Sequence, residues 1–114
     1  LGKSWSNKLK RQKEIRKMRW VVIFETTPHM PTIRTQHETA HLQYLREHQT
    51  EILLAGGLRE EPQAAFDKGL WVLAPMPKAR AIELIEQDPY FIHSQRGYQL
   101  LQWGKALQDI SVLL

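Results

Sequence analysis

The segment from His37 to His41 has the sequence H-E-x-x-H, a spacing that can bind a metal ion when it lies on a helix. The two histidines are one helical turn apart, so both imidazoles can reach one zinc ion while Glu38 activates a water molecule bound to it. A zinc protease needs a third ligand, and the chain has Tyr44 and Glu47 where the extended pattern has glycine and histidine. Because so short a pattern also occurs by chance, we predict no metal site and place a zinc hydrolase last among the candidate functions.

A second feature of the same segment is a row of basic side chains. At about 100° per residue, one narrow arc of the predicted helix carries Arg34, His37, His41, Leu45 and His48. Arg34 could hold an anionic group of a substrate, whereas His37 and His48 are equally typical of a solvated polar face. His41 differs because the nearby Leu42 and Leu45 favour a position close to the core. A partly buried histidine with a carboxylate partner is suited to general acid–base catalysis near neutral pH.

The carboxylate of Asp88 has two interpretations. An aspartate directly before a proline is a good helix N-cap, with Pro89 at the first helical position. The second interpretation, a partner for His41, comes from the family resemblance described below and not from spacing.

The absence of cysteine narrows the possible chemistry. It excludes disulfides, cysteine-based zinc sites and a thiol nucleophile, and it fits a reducing compartment, so we expect a cytoplasmic protein. No obvious serine nucleophile is present, so a His–Asp pair would transfer protons and would not form an acyl intermediate. We expect no cofactor. No apolar run approaches the ~20 residues of a membrane helix, so no membrane association is expected.

The elements that must position these residues alternate along the chain. Apolar, β-prone runs predict strands at 20–24, 52–55, 69–74 and 98–103, with a bend at the glycines 56–57. Helices are predicted at 32–51 and 78–87, a short helix or turn within 90–96, and an apolar tail at 106–114 that can dock on the domain. The order β-α-β-β-α-β predicts an α+β, ferredoxin-like fold, in which two helices cover one face of a four-stranded antiparallel sheet.

Two of the predicted strands indicate how the chain assembles. A sheet with one face in water alternates apolar and polar residues, but 20–24 and 70–73 are apolar throughout. Both faces of the sheet are therefore apolar, and the simplest cover for the second face is the same face of another copy. The sequence predicts a two-fold homodimer.

The basic charge is confined to the beginning of the chain. Residues 1–17 hold seven of the 16 Lys and Arg residues and one of the 12 acidic residues, a net charge of +6, whereas the other 97 residues carry −2. We interpret 1–17 as a solvated arm, tail or extra helix, and 18–114 as the single domain. Nucleic-acid contact or organelle targeting by the arm are the alternatives, and any nucleic-acid binding is expected through the arm alone.

The stretch from Arg19 to about Trp103, roughly three quarters of the chain, resembles the YciI-like (YCII-related) proteins. The resemblance is carried by the strand 20–24, Arg34 ahead of the motif His41-Leu42-x-x-Leu45, the runs 52–58 and 69–72, the tripeptide Asp88-Pro89-Tyr90, and Trp103. The chain departs from the family at Glu38, where many relatives have a basic residue, and the arm 1–17 has no counterpart.

The resemblance implies a ferredoxin-like domain that forms a dimeric α+β barrel, with His41 and Asp88 as the active-site pair. We expect a hydrogen bond between these two side chains, although 47 positions separate them in the sequence. His41 would move the proton, while Asp88 fixes the tautomer of the imidazole. The predicted substrate-binding residues are Arg34, His37, Trp71 and Tyr90. Most relatives have no characterised activity, and a minority are linked to the breakdown of aromatic or halogenated ring compounds. We therefore predict an acid–base enzyme of the lyase, isomerase or dehydrohalogenase type that acts on a small molecule. The alternative is a non-catalytic dimer that binds a ligand or a protein partner, because the fold hosts many functions.

Overall fold

The computed structural model describes residues 18–113 of the 114-residue chain, so the basic arm 1–17 and the predictions made for it lie outside the described residues. The elements are, in order, β1 (Arg19–Phe24), α1 (Met30–Glu47), β2 (Ile52–Leu58), β3 (Lys68–Leu73), α2 (Lys78–Glu86), α3 (Pro89–Ser94) and β4 (Tyr98–Trp103). The strands form one antiparallel sheet in the order β2-β3-β1-β4. This is the predicted α+β, ferredoxin-like arrangement, in which each β-α-β half supplies one central strand and one edge strand.

The core lies between the sheet and the helices. Along β1, buried residues alternate with half-buried ones, because successive side chains of a strand point to opposite faces. The buried cluster includes Val22, Phe24, Trp71, Leu73 and Leu84. Burial of each large apolar side chain stabilises the fold by about 1.5–3 kcal/mol, so this cluster fixes α2 against the two central strands.

The long helix α1 begins and ends earlier than the predicted span 32–51. It begins at Met30 because Pro31 fits the first turn, where a missing N–H costs nothing. It ends at Glu47, and the chain then turns, with the N–H of Glu51 donating to the carbonyl of His48. Within residues 18–113, no helix is both long and apolar enough to cross a membrane.

Two other segments differ from their predicted structure. The glycine pair Gly56 and Gly57, predicted as a bend, continues β2, because Gly57 pairs with Gly69 of β3. A Cβ atom at position 57 would lie 2.5 Å from a ring carbon of Phe66, so glycine here lets that ring lie on the strand. The tail is apolar enough to dock, but in its described part Leu107, Ile110, Val112 and Leu113 are exposed.

The sheet face opposite the helices is also apolar. Val21 of β1 lies between Val72 of β3 and Leu101 of β4. Leu54, Leu101 and Trp103 are each about half exposed, at 51%, 50% and 50%. We call this surface, formed by Val21, Leu54, Val72, Leu101 and Trp103, the open sheet face. The predicted second apolar face is therefore present.

Tyr44 joins α1 to α2 and gives the fold a testable response to alkaline pH. Its hydroxyl donates a hydrogen bond to the carbonyl of Leu84 at 2.7 Å. Burial, helped by the negative charge of Asp88, raises the pKa of Tyr44 from 10.0 to about 12. Because the unfolded phenol ionises first, the stabilisation is complete below pH 10 and is lost as the pH rises from 10 to 12.

Between pH 10 and pH 12, we expect the free energy of unfolding to fall more in wild type than in Tyr44→Phe. The difference between the two falls should be on the order of 2 kcal/mol. Urea unfolding of both proteins across this range measures the difference, with Tyr98→Phe as a control on a half-buried tyrosine. Parallel pH profiles for wild type and Tyr44→Phe would contradict the prediction.

Candidate active site

His41 and Asp88 meet inside the fold. His41 lies on α1 and Asp88 directly precedes α3, and the distance between Nδ1 of His41 and Oδ1 of Asp88 is 2.6 Å. The carboxylate is fully buried and the histidine is 9% exposed. An ionised carboxylate can only accept, so this hydrogen bond places the proton on Nδ1 and leaves Nε2 as the basic nitrogen. The predicted hydrogen bond is present.

The N-cap interpretation does not account for the Asp88 side chain. Asp88 occupies the N-cap position of α3, with Pro89 next to it, and its backbone carbonyl accepts a hydrogen bond from the N–H of Ile92 at 2.9 Å. Its carboxylate makes no capping hydrogen bond. Oδ1 is bonded to His41, whereas Oδ2 is buried and has no hydrogen-bond partner within residues 18–113. The sequence favours Asp here as a cap, but the structure directs its carboxylate to the histidine.

The ring of Tyr90 stacks on one face of the His41 imidazole. The rings of Tyr90 and His41 are parallel, with centroids 3.7 Å apart and an interplanar angle of 8°. Tyr90 is itself 8% exposed. Burial raises the pKa of its phenol, and the negative charge of Glu38 raises it further. The ring of His41 is therefore fixed by a hydrogen bond at one nitrogen and by stacking on one face.

A cavity of about 250 Å³ opens next to this pair. Of the predicted substrate-binding residues, Arg34, Trp71 and Tyr90 line it together with His41. His37 is not among the lining residues; its ring stacks on that of His93, with centroids 3.6 Å apart and an interplanar angle of 4°. The predicted substrate-binding role of His37 is therefore not supported by its position.

The charged groups that line the cavity are mostly cationic. They are Arg34, Lys68 and Arg96, with Glu38 as the one carboxylate in the lining. Sequence reasoning missed Arg96, which is 5% exposed and lies above the ring of Phe24, with the guanidinium carbon 4.2 Å from the ring centroid. An arginine in a polar stretch between a helix and a strand is ordinarily solvated, so no sequence signal marked it.

Phe66 forms a wall of the cavity that the sequence also did not reveal. It comes from the polar segment between β2 and β3, which predicts only a loop. Its ring lies over Gly57, and the guanidinium carbons of Arg34 and Arg59 are 5.8 Å and 4.7 Å from its centroid. With Trp71, Phe66 gives the cavity aromatic surfaces that suit a planar ligand.

The two histidines of the H-E-x-x-H segment have separate partners. His37 stacks on His93, whereas His41 is hydrogen-bonded to Asp88 and stacked on Tyr90. Within the described part of the chain, no group of three or more histidine, aspartate or glutamate side chains is arranged to hold a metal ion. The pattern reflects helical spacing, and each ring is oriented by contacts with α3.

We expect purified protein to hold well under one zinc ion per chain after dialysis, because the rings of His37 and His41 are committed to different neighbours. Metal analysis and thermal melting with and without EDTA test this, and the melting temperature should not change on chelation. Stoichiometric zinc that is lost in both His37→Ala and His41→Ala would restore the metal hypothesis.

Fold and site together define a ferredoxin-like α+β domain with a buried His–Asp pair beside a cationic, aromatic cavity. No protein-family model and no curated protein matches the chain. Among solved structures, it is similar to 5-chloro-2-hydroxyhydroquinone dehydrochlorinase from Burkholderia phenoliruptrix, in complex with 2,5-dihydroxybenzoquinone. The TM-score is 0.65 at 16% sequence identity, over 76% of this chain and 94% of that chain. At this identity the similarity shows the fold.

Proposed function

We propose that the protein is a YciI-like acid–base enzyme that transfers a proton to or from a small ring compound, with His41 and Asp88 as the catalytic pair. The observation that carries the proposal is the 2.6 Å hydrogen bond between buried Asp88 and Nδ1 of His41, at a cavity that His41 lines. A histidine oriented by a buried carboxylate has one nitrogen left for proton exchange with a bound molecule.

Each residue of the pair has a separate task in this proposal. Nε2 of His41 takes a proton from the substrate, and the charge of Asp88 stabilises the imidazolium that forms. Arg34 interacts with an anionic group, while Trp71 and Tyr90 contact the ring. The shared fold with a dehydrochlorinase supports an elimination or isomerisation. In an elimination, the electron pair of the broken bond to hydrogen forms a new π bond, and the halide leaves with its own bonding pair.

The test is proton exchange on a panel of hydroxylated ring compounds, with 5-chloro-2-hydroxyhydroquinone included. We measure deuterium incorporation from solvent by NMR and chloride release by ion chromatography. Wild type should turn over at least one compound, and His41→Asn should lower the rate about 10²–10⁴-fold because the basic nitrogen is lost. His93→Asn is the matched control, since His93 is exposed and does not line the cavity.

The outcomes separate the two classes of function. Full activity in His41→Asn would overturn the assigned pair. Binding of ring compounds without exchange or chloride release by wild type would favour the alternative, a non-catalytic ligand-binding module.

We also propose that the protein is a homodimer joined through the open sheet face. Leu54, Leu101 and Trp103 of this face are about half exposed, and a second copy presents the same surface for an isologous contact. Burial of exposed Leu and Trp side chains supplies the driving force, at about 25 cal/mol per Å². The helices and the cavity lie on the other face, so both copies keep an accessible site.

A further inference from the structure

The side chain of Arg96 is a buried charged group that lacks a hydrogen-bond partner at Nε in the described part of the molecule. Arg96 is the second residue after α3. It follows Gln95, which has the left-handed conformation (φ 54°), and it is 5% exposed. Within residues 18–113, its guanidinium makes no hydrogen bond and no ion pair, and Nε is buried without a partner. A buried N–H group of a charged side chain without a hydrogen bond costs free energy, which a bound acceptor would recover.

Neighbouring groups compensate this charge only in part. The guanidinium carbon lies 4.2 Å from the centroid of Phe24 and 5.8 Å from that of Tyr90, and cation–π attraction offsets some of the desolvation. Burial lowers the pKa of Arg96, and the negative charge of Asp88 works in the opposite direction. Asp88 is not within ion-pair distance, and its Oδ1 atom already accepts from His41. The N–H groups of the guanidinium are therefore available to another anion.

The structure keeps this guanidinium beside the cavity. A Cβ atom at Gly69 would lie 3.6 Å from Nη1 of Arg96 and 3.4 Å from two carbons of Phe24, so strand β3 passes close to the head group. Arg96 lines the same cavity as His41, together with the cationic side chains of Arg34 and Lys68. A neutral ligand would leave three cations facing one carboxylate.

We propose that Arg96 binds a negatively charged oxygen of an aromatic ligand, either a carboxylate or a ring phenolate, and so selects anionic ring compounds. The proposal deepens the function above and rests on it for the identity of the cavity as the substrate site. A guanidinium binds a carboxylate through two parallel N–H···O bonds, and it binds a phenolate by a charge-assisted hydrogen bond. The aromatic walls supply the apolar contact for the ring.

Calorimetric titration of the full chain with benzoate and with its neutral isostere benzamide tests the proposal. Wild type should prefer benzoate. Arg96→Gln should weaken benzoate binding at least tenfold and leave benzamide binding within about twofold, since only the anion loses a charge-assisted hydrogen bond. Arg59→Gln is the control, because Arg59 lies against Phe66 without lining the cavity. A second titration with 4-nitrophenol, across the pH range in which it ionises, distinguishes a phenolate site from a carboxylate site.

A preference for benzoate that survives in Arg96→Gln would overturn the proposal. If that variant does not fold, Arg96→Lys decides: it keeps the charge but loses the bidentate geometry, so benzoate binding should weaken about threefold or more while benzamide binding stays constant. Equal benzoate affinity in Arg96→Lys and wild type would reject the bidentate site. His41→Asn should keep the anion preference, so a failure of the acid–base proposal and a failure of the anion site are separate results.

Discussion

Asp88→Asn is expected to lower kcat/KM by about 10³–10⁴-fold while the protein remains folded. The substitution keeps the size of the side chain, but it removes the charge that stabilises the imidazolium of His41. It also allows the amide to present its NH₂ group to Nδ1, which reverses the tautomer and leaves the proton on Nε2. Long-range ¹H–¹⁵N NMR of the histidine ring measures this tautomer without any substrate.

The control for this experiment is Asp67→Asn, which changes an exposed carboxylate between β2 and β3. The Asp88→Asn substitution also distinguishes a catalytic aspartate from an aspartate that only caps the helix. Asparagine caps a helix about as well as aspartate, so a capping role predicts almost no change in any measurement. Unchanged turnover and an unchanged His41 tautomer in Asp88→Asn would end the assignment of the pair.

Leu101→Asp is expected to convert the proposed dimer into a monomer. Leu101 is 50% exposed at the middle of β4 and lies beside Val21 on the open sheet face. An aspartate there would place two uncompensated carboxylates in one apolar contact, which should raise the dimer dissociation constant by about a hundredfold or more. Sedimentation equilibrium at micromolar concentration should give twice the chain mass for wild type and the chain mass for the variant.

Ile92→Asp is the matched control, because Ile92 is 51% exposed on α3, away from the open sheet face. It should remain dimeric. A wild-type mass equal to one chain at every concentration would show that the open sheet face is not a dimer interface. Equal dissociation of both variants would show that added charge, and not the position of Leu101, determines assembly.

The sequence predicted the order of elements well because three strands contain compact apolar runs and the fourth alternates apolar and polar residues. The observed span of β4 matches the prediction, which was based on the alternation from Tyr98 to Trp103. The prediction failed at Gly56 and Gly57, where propensity favours a bend but the ladder with β3 continues. Strand pairing is a tertiary interaction, so local propensity cannot reveal it.

The site was less accessible to sequence reasoning than the fold. Helical spacing marked His41, but only the family resemblance joined it to Asp88, because a contact across 47 positions has no local signature. The same helical spacing also marked His37 as a candidate site residue, but its ring stacks on His93 and does not line the cavity. Arg96 was missed because its burial depends on the left-handed residue before it and on the ring of Phe24, and neither follows from residue type.

The interleaved strand order has a consequence for how the protein can be divided. β1 and β2 belong to one half of the chain but are separated by β3, and β3 and β4 of the other half are separated by β1. Neither half can therefore form a continuous ladder alone, and each supplies one member of the His–Asp pair. Cleavage within the 59–67 segment would give two fragments that fold only by inserting strands into each other. Such fragments would be a split reporter, in which the hydrogen bond between His41 and Asp88 forms only when the two pieces associate.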